Sequence, residues 1–507
     1  MAADTLDSLL PLVASVVALA APAPPATLVQ VERAHTRDAR ALLRRVGGAE
    51  IAPELRIWRV PTRVVPRLRR VGIVAFSEPD RVLSERATPT DPLVDEQWWR
   101  AAVGADRADP PGPGKPITVV DSGLDIGHPE FAGRPNTTLL NNQTVRAEDD
   151  DHGTEVSSVI AAPENGVGLV GIYPRADLRS WDASPNGFLS DGAAIQGILE
   201  AARRGPGLIN LSFGGPIDDP LLEEAILSAF RSGSVIVAAS GNDGEEGSPN
   251  SYPADYAHVL TIGATDESDW AAGFSSTSPW LDLAAPGVAI PVAEPTSYAA
   301  SGYVRASGTS FSSPMVAGAA AWVWTVRPEL DNTQLFEIMR LSARDVGPRG
   351  FDVATGYGVL DIPAALALPA PVGDPLEPND DADEVEPGRM FGGGSAPLTT
   401  AARGTREITA RVDRHEDPHD FYRVFVPAGR RVTVTTNGAV DLRIYRRSRR
   451  PLHETPAVAS AHTGSEGERA AFVNRGARAL YVYVEVRPRR DVRDTTYSLH
   501  VTTAARW

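Results

Sequence analysis

An apolar segment that begins just after a serine constrains the fold of this chain more than any other part of the sequence. Residues 315–322 read Met-Val-Ala-Gly-Ala-Ala-Ala-Trp, which predicts a helix without a polar face and therefore a buried one. Ser310 stands at its entrance, two residues after Gly308. A serine at a helix N-terminus lies beside unpaired backbone N–H groups and the positive end of the helix dipole. It is either a helix cap, which this segment alone favours, or a nucleophile placed where an oxyanion can be stabilised.

Two earlier segments favour the nucleophile. Residues 117–120, Ile-Thr-Val-Val, predict a central parallel strand that ends at Asp121, and open α/β sheets place their sites at such strand ends. His152 opens a second apolar helix. A histidine can take the proton of a serine hydroxyl, and an aspartate can orient that histidine. Asp, His and Ser also occur here in one of the known chain orders of a serine-protease triad.

On these motifs the chain resembles the subtilisin-like serine proteases, the subtilases. The matching segments are VVDSG at 119–123, HGT at 152–154, SGNDG at 240–244 and GTSFSSPMVAG at 308–318. Four motifs in the family's order make a specific signal. The resemblance implies a serine endopeptidase that hydrolyses peptide bonds in polypeptide substrates, with Asp121, His152 and Ser310 as its catalytic residues.

The same resemblance implies an oxyanion hole and a substrate-binding segment. Asn242 would donate to the oxyanion together with the backbone N–H of Ser310, although Gly-Asn-Asp-Gly also favours a plain turn. An extended substrate backbone would pair with Ser212, Phe213 and Gly214. The same residues are also compatible with a core strand that ends in a turn. Main-chain pairing predicts loose sequence selectivity.

One residue departs from the family pattern. The third residue after His152 is commonly a histidine, and here it is Glu155. A carboxylate one helical turn away can raise the pKa of His152 slightly. Glu155 also suggests the acid-active serine-carboxyl relatives, but those carry an aspartate where Asn242 stands and lack the pairing of Asp121 with histidine. We therefore expect a triad whose activity falls below roughly pH 6.5, the ordinary pKa of histidine.

Strand and helix patterns alternate through residues 91–369. They predict an α/β catalytic domain with a mostly parallel sheet and helices on both faces. Residues 27–90 resemble the inhibitory propeptide of secreted subtilases, a small α+β domain that would act as the chain's own inhibitor; an ordinary accessory domain is the alternative. Residues 1–26 resemble a signal peptide, although Asp4 and Asp7 replace its usual basic residues. A secreted, autoprocessed precursor is therefore expected.

The composition changes after the catalytic domain. Residues 370–394 are rich in Pro, Gly, Asp and Glu, which predicts a linker. Strand signals then recur through residues 395–507 and predict an antiparallel β-sandwich. With the segment 376–380, Leu-Glu-Pro-Asn-Asp, this part resembles the bacterial pre-peptidase C-terminal domain. Substrate or matrix binding, removal during maturation and a solubilising role all stay open for it.

Composition excludes several other classes of protein. The chain has no cysteine, so disulfides, thiolate catalysis and cysteine-based zinc sites are excluded. The net charge of −16 argues against nucleic acids and anionic membranes as partners, and no stretch predicts a membrane anchor. No cofactor is required and no metal ligand is assigned. Structural calcium at residues 149–151 or 379–381 is an open possibility, with solvated loop charges the commoner explanation.

Two other functions stay open at this point. The chain could be a binding or adhesion protein with an inactive protease unit, which the intact motifs disfavour. It could also be a processing enzyme that cuts one partner instead of degrading many. The range of unrelated proteins that it cleaves would separate the second possibility from broad degradation.

Overall fold

The computed structural model describes residues 26–32, 36–79, 91–145, 151–185, 187–374, 376–391, 394–400, 404–447, 455–464 and 467–504. Residues 1–25 of the expected signal peptide, residues 80–90 and the acidic residues 149 and 150 lie outside the described residues. The chain divides into two compact units, Met1–Ala87 and Thr88–Trp507.

The first unit is a small α+β structure with its own core. Its elements are β1 (Ala26–Val31), α1 (Thr36–Arg45), β2 (Ala49–Ala52), β3 (Ile57–Pro61), α2 (Val65–Arg70) and β4 (Val74–Pro79). The strands form an antiparallel sheet in the order β2-β3-β1-β4. Helix α1 buries Leu43 against Val29 and Trp58 of the sheet while Arg44 stays exposed, as expected of an amphipathic helix.

A seven-stranded parallel sheet forms the centre of the second unit and confirms the predicted α/β fold. Its strands are β5 (Pro116–Asp121), β6 (Thr137–Leu139), β7 (Asp177–Asp182), β8 (Leu208–Leu211), β9 (Val235–Ala239), β10 (Val259–Thr265) and β11 (Leu283–Pro286). They run in the order β11-β10-β9-β8-β5-β7-β6, and every neighbouring pair is parallel. All residues of β8, β9 and β10 are buried, as expected of strands covered on both faces.

Helices form the layers around this sheet. They are α3 (Trp99–Ala102), α4 (His152–Ala161), α5 (Asp191–Arg203), α6 (Pro220–Arg231), α7 (Thr309–Val326), α8 (Asn332–Leu341) and α9 (Ile362–Ala367). Helices α4 and α7 pack against each other, and α5 packs against α6; α7 also contacts strands β8 to β11. An antiparallel ribbon, β12 (Ile290–Ala293) with β13 (Tyr303–Ala306), contacts α4 through β12. Across the described part of the chain, no helix has both the length and the apolarity that a membrane crossing requires.

The C-terminal part consists of two antiparallel sheets that share one apolar core. Its elements are α10 (Ala382–Val385), β14 (Gly404–Asp413), β15 (Asp420–Val426), β16 (Arg431–Asn437), β17 (Val440–Arg446), β18 (Ala459–Ala461), β19 (Arg469–Val473), β20 (Leu480–Pro488) and β21 (Asp494–Thr503). The sheets have the orders β14-β21-β16-β19 and β15-β20-β17-β18, and inward-facing residues of both sheets meet in that core. We call this part the β-sandwich.

The described residues of the segment 370–394 are packed, whereas the composition of the segment predicts a linker. Asn379 is 1 % exposed, and Val385 packs among aromatic residues of the β-sandwich. Arg231 of α6 donates a hydrogen bond of 2.7 Å to the carbonyl oxygen of Gly394. The proline and glycine residues form the turns of a folded segment. Composition alone indicates such turns, but it does not show which surfaces pack against them.

A buried arginine connects the β-sandwich to the expected catalytic domain, residues 91–369, which we call the catalytic unit. The side chain of Arg340 on α8 is 1 % exposed, and its guanidinium nitrogens lie 3.1 Å from Asp282, 2.8 Å from Glu337 and 2.9 Å from Asp413. Asp413 ends strand β14, so this ionic cluster spans the junction between the two parts. Asp282 and Asp413 therefore depend on this cation, whereas Glu337 also lies 2.7 Å from the guanidinium of Arg411.

Replacing this cation should be costly to the fold. We expect Arg340→Met to lower the free energy of unfolding by about 3–5 kcal/mol, because it leaves buried carboxylates without a partner. Urea unfolding of the full-length protein measures the change. The control is Arg344→Met. Arg344 and Asp269 form an ion pair of 2.7 Å at the surface, and this pair should contribute no more than about 1 kcal/mol to stability. Equal losses in the two variants would contradict the assignment.

Candidate active site

The end of β5 and the start of α4 bring Asp121 and His152 together. Oδ1 of Asp121 lies 2.9 Å from Nδ1 of His152, and the aspartate side chain is 3 % exposed. The same oxygen accepts a 2.7 Å hydrogen bond from the backbone N–H of Ser122. A Cβ on Gly153 would lie only 2.1 Å from the carbonyl oxygen of Gly123. Glycine at position 153 therefore lets the helix approach the strand end closely enough for this contact.

Carboxylates dominate the electrostatics of His152. Burial lowers the pKa of His152, but the charge of Asp121 and the hydrogen bond to it outweigh burial and, with Glu155 and Asp151, raise that pKa to about 9. This corrects the sequence-based expectation, which used the ordinary histidine value. Burial raises the pKa of Glu155 to about 8; His152 opposes this rise, and Glu294 adds to it. Glu155 thus acts on His152 as one member of a buried acidic group.

Ser310 lies in the first turn of α7, where backbone N–H groups have no partner within the helix. Its hydroxyl donates to the carbonyl oxygen of Ser212 at 3.2 Å, and the Ser212 hydroxyl donates to the carbonyl oxygen of Ser310 at 3.0 Å. The ring of the next residue, Phe311, lies 6.0 Å from the imidazole of His152. The structure therefore brings Asp121 into contact with His152, while the Ser310 hydroxyl has a backbone partner.

Thr309 fixes the orientation of Asn242. Oδ1 of Asn242 accepts hydrogen bonds from the backbone N–H of Thr309 at 2.9 Å and from its hydroxyl at 3.0 Å. A backbone N–H can only donate, so the amide oxygen must face Thr309 and Nδ2 must point elsewhere. Nδ2 is 3.3 Å from where a Cβ on Gly308 would lie. Sequence reasoning missed the role of Thr309, although the residue stands inside the motif that contains Ser310.

A cleft of about 550 Å³ adjoins Ser310. Its lining includes each of the residues expected to bind substrate or oxyanion: Ser212, Phe213, Gly214 and Asn242. Gly214 is exposed, and a Cβ there would lie 2.7 Å from Oγ of Ser251. A side chain at position 214 would therefore narrow the cleft next to the serine.

Comparison with known proteins agrees with this fold. The model of the subtilase family of peptidases matches residues 112–358. Subtilisin BL from Lederbergia lenta is 35 % identical over 257 residues, which cover 50 % of this chain and 91 % of that protein. Subtilisin E from Bacillus subtilis is 32 % identical over 309 residues, 60 % of this chain and 78 % of that protein. The chain belongs to the subtilase family and is a serine endopeptidase.

A solved structure is also similar. The psychrophilic subtilisin-like protease Apa1 from the Antarctic psychrotroph Pseudoalteromonas sp. AS-11 aligns with a TM-score of 0.46 and 19 % identity. The alignment covers 53 % of this chain and 97 % of that one.

The acidic surroundings of His152 lead to a measurable titration. We expect its imidazole to titrate near pH 9 in NMR spectra of histidine-labelled protein, and Asp121→Asn to lower that pKa. Because the folded-state pKa exceeds the ordinary 6.5, the pair stabilises the fold fully below pH 6.5, and this contribution is lost as pH rises through about 9. The control is Asp125→Asn, in the loop that follows Asp121, which should leave the pKa of His152 unchanged. A wild-type value at or below 6.5 would refute the expectation.

Proposed function

We propose that this endopeptidase works through a triad of Asp121, His152 and Ser310, with Asn242 in the oxyanion hole. The observation that carries the proposal is the 2.9 Å contact between Asp121 and Nδ1 of His152. It leaves Nε2 of His152 as the ring nitrogen that can act as a base. Further support comes from the packing of α4, which begins with His152, against α7, which begins at Thr309.

In this mechanism Ser310 exchanges its hydrogen bond to Ser212 for one to Nε2 of His152. His152 takes the hydroxyl proton while Oγ attacks the scissile carbonyl carbon, and the imidazolium then gives the proton to the leaving amine. Asp121 holds the tautomer and stabilises the imidazolium. Water then hydrolyses the acyl-enzyme by the same proton transfers.

The oxyanion that forms in each step needs donors placed in advance. The backbone N–H of Ser310 is free of helical partners at the start of α7, and the orientation set by Thr309 leaves Nδ2 of Asn242 as the second donor. Ser212, Phe213 and Gly214 line the cleft that adjoins Ser310, which supports their pairing with an extended substrate chain. Such pairing suits polypeptides of varied sequence.

The pKa of His152 separates this mechanism from that of the acid-active serine-carboxyl relatives. With a pKa of about 9, the free-base form that accepts the serine proton increases with pH through the alkaline range. Asp121 and Asp151 hold the imidazolium by charge, which disfavours the base form at neutral pH. An alkaline optimum is the corresponding property of the enzyme, whereas the carboxyl type would have an acid one.

The same proposal includes a secreted, inactive precursor. The first unit precedes the segment 112–358 that matches the family, and it has an independent core that includes Val29, Leu43 and Trp58. A folded α+β unit in this position suits an intramolecular inhibitor that is later removed. Residues 1–26 would be the signal peptide, and residues 27–90 the propeptide.

Removal of single side chains tests the catalytic roles. We expect Ser310→Ala to abolish hydrolysis of a chromogenic peptide, and Asn242→Ala to lower kcat by about 10²–10³-fold, the known size of this loss in subtilisin. Steady-state kinetics at pH 9 measure both. Asn250→Ala, at an exposed residue that lines the same cleft, is the control and should change kcat by less than about 10-fold. Normal turnover by Ser310→Ala would refute the triad.

Autoprocessing is tested by intact mass and N-terminal sequencing of wild type beside Ser310→Ala. Wild type alone should lose a fragment that ends between Glu85 and Gln97, because the cut requires the protein's own serine. Loss of the fragment from both proteins would assign the cut to another protease and remove autoprocessing from the proposal.

The range of substrates is a separate question. Broad cleavage of unrelated proteins would support degradation, and a single cut in one partner would support a processing enzyme.

A further inference from the structure

Two buried glutamates lie in contact beside His152. Glu155 stands one turn along α4 from His152 and is 8 % exposed, and Glu294 follows β12 and is 6 % exposed. A hydrogen bond joins their side chains. A carboxylate can only accept, so a hydrogen bond between two carboxyl groups requires a proton on one of them. The contact therefore indicates a carboxylic acid paired with a carboxylate.

Backbone contacts hold the two glutamates together. The Ser158 hydroxyl donates to the carbonyl oxygen of Glu155 at 2.6 Å and accepts a 2.9 Å hydrogen bond from the backbone N–H of Ala293. Ala293 directly precedes Glu294, whose own N–H donates to the carbonyl oxygen of Gly302 at 2.9 Å. One hydroxyl thus connects the backbones that carry the pair, and these contacts keep the two carboxyl groups from moving apart.

The described groups around this pair are mostly acidic. Burial raises the pKa of Glu155, His152 lowers it, and Glu294 and Asp151 raise it further. Oε2 of Glu294 is buried and has no N–H or hydroxyl donor in the described part of the chain. Two negative charges in such a place repel each other, and a shared proton removes one of them.

The elements packed most closely against α4 bring no cation to the pair. Helix α7 and strand β12 contain no charged residue. The charged side chains of the other two elements, β5 and β7, have partners of their own; they are Asp121, Asp177, Arg179 and Asp182. The proton is therefore the group that can neutralise one carboxylate of the pair.

We propose that Glu155 and Glu294 share one proton and that the pair is a positioning group, which acts through His152 and does not touch substrate. While the proton is held, Glu155 presents a neutral carboxyl group to the imidazole. Once the proton is lost, Glu155 carries a negative charge one helical turn from His152 and stabilises the imidazolium. The inference rests on the proposed function only in its last step, from the imidazole to catalysis.

The two glutamates have opposite effects on His152 in this arrangement. Burial raises the pKa of Glu155 to about 8, and Glu294 adds to this rise, so Glu155 holds the proton. Glu294 thus keeps Glu155 neutral up to about pH 8. A neutral Glu155 leaves more of His152 as the free base near neutrality than a charged Glu155 would. Removal of the first glutamate should therefore favour the base, and removal of the second should disfavour it.

NMR titration of His152 in the full-length Ser310→Ala protein tests the pair without catalysis or self-digestion. The imidazole resonance of this parent should have two steps, one near pH 8 as the pair loses its proton and one near pH 9 for the ring itself. Glu155→Gln keeps a neutral donor to Glu294, so it should abolish the first step and lower the pKa of His152 by about half a unit. Glu294→Gln should move the first step to lower pH without lowering the pKa of His152. Glu267→Gln, at an exposed position, is the matched control and should behave as the parent.

The sign of the two changes separates a shared proton from two independent charges. A lower pKa of His152 in both glutamine variants would assign the effect to separate charges and overturn the proposal. Absence of the step near pH 8 from the parent would also overturn it.

Kinetics of the active enzyme test the last step. At about pH 7.5, kcat/KM for a chromogenic peptide should rise about 3-fold in Glu155→Gln, the change in free base that half a pKa unit produces, and should fall in Glu294→Gln. NMR steps that follow the glutamates while kcat/KM ignores them would remove His152 as the base, and with it the proposed function, but would support the shared proton.

Discussion

The catalytic unit depends on the burial of helix α7. Its residues from Phe311 to Trp324 are buried, and it packs against α4 and against strands β8 to β11. A helix without a polar face has no stable position except inside such layers. Its burial fixes the position of its first turn, and therefore of Ser310 and of Thr309, which orients Asn242. Because α4 packs on the same helix, His152 is brought to the same region.

Negative charge is the second constraint on this site. Asp121 alone would orient His152, but Glu155 adds a buried carboxyl group from the same helix, and Glu294, just after β12, raises the pKa of Glu155. Asp121, with Glu155 and Asp151, raises the pKa of His152 to about 9, and in the proposed mechanism this shifts the working range toward alkaline pH. In the proposed mechanism, the same acidic surroundings that stabilise the imidazolium thus reduce the fraction of His152 that is ready to act as a base near neutrality.

Charge also governs the junction with the β-sandwich. Arg340 gathers carboxylates from the catalytic unit and from strand β14 around one guanidinium. Nearby, Asp417 and Asp420 meet Glu377 of the segment 370–394. Buried charges stabilise an interface only when each has its partner, so this junction depends on the ion pairs of Arg340. The β-sandwich is accordingly packed onto the catalytic unit instead of following it on a tether.

The sequence by itself determined the α/β class and the candidate site residues, because each motif is contiguous and lies where an element begins or ends. The strand before Asp121 and the helix at Ser310 could be read from local patterns, and so could most strands of the β-sandwich. Tertiary structure decided the alkaline pKa of His152, the role of Thr309 and the packing of the segment 370–394. These depend on groups that are far apart along the chain, such as Glu294 beside Glu155, and a local pattern carries no information about which distant side chains fill the space around it.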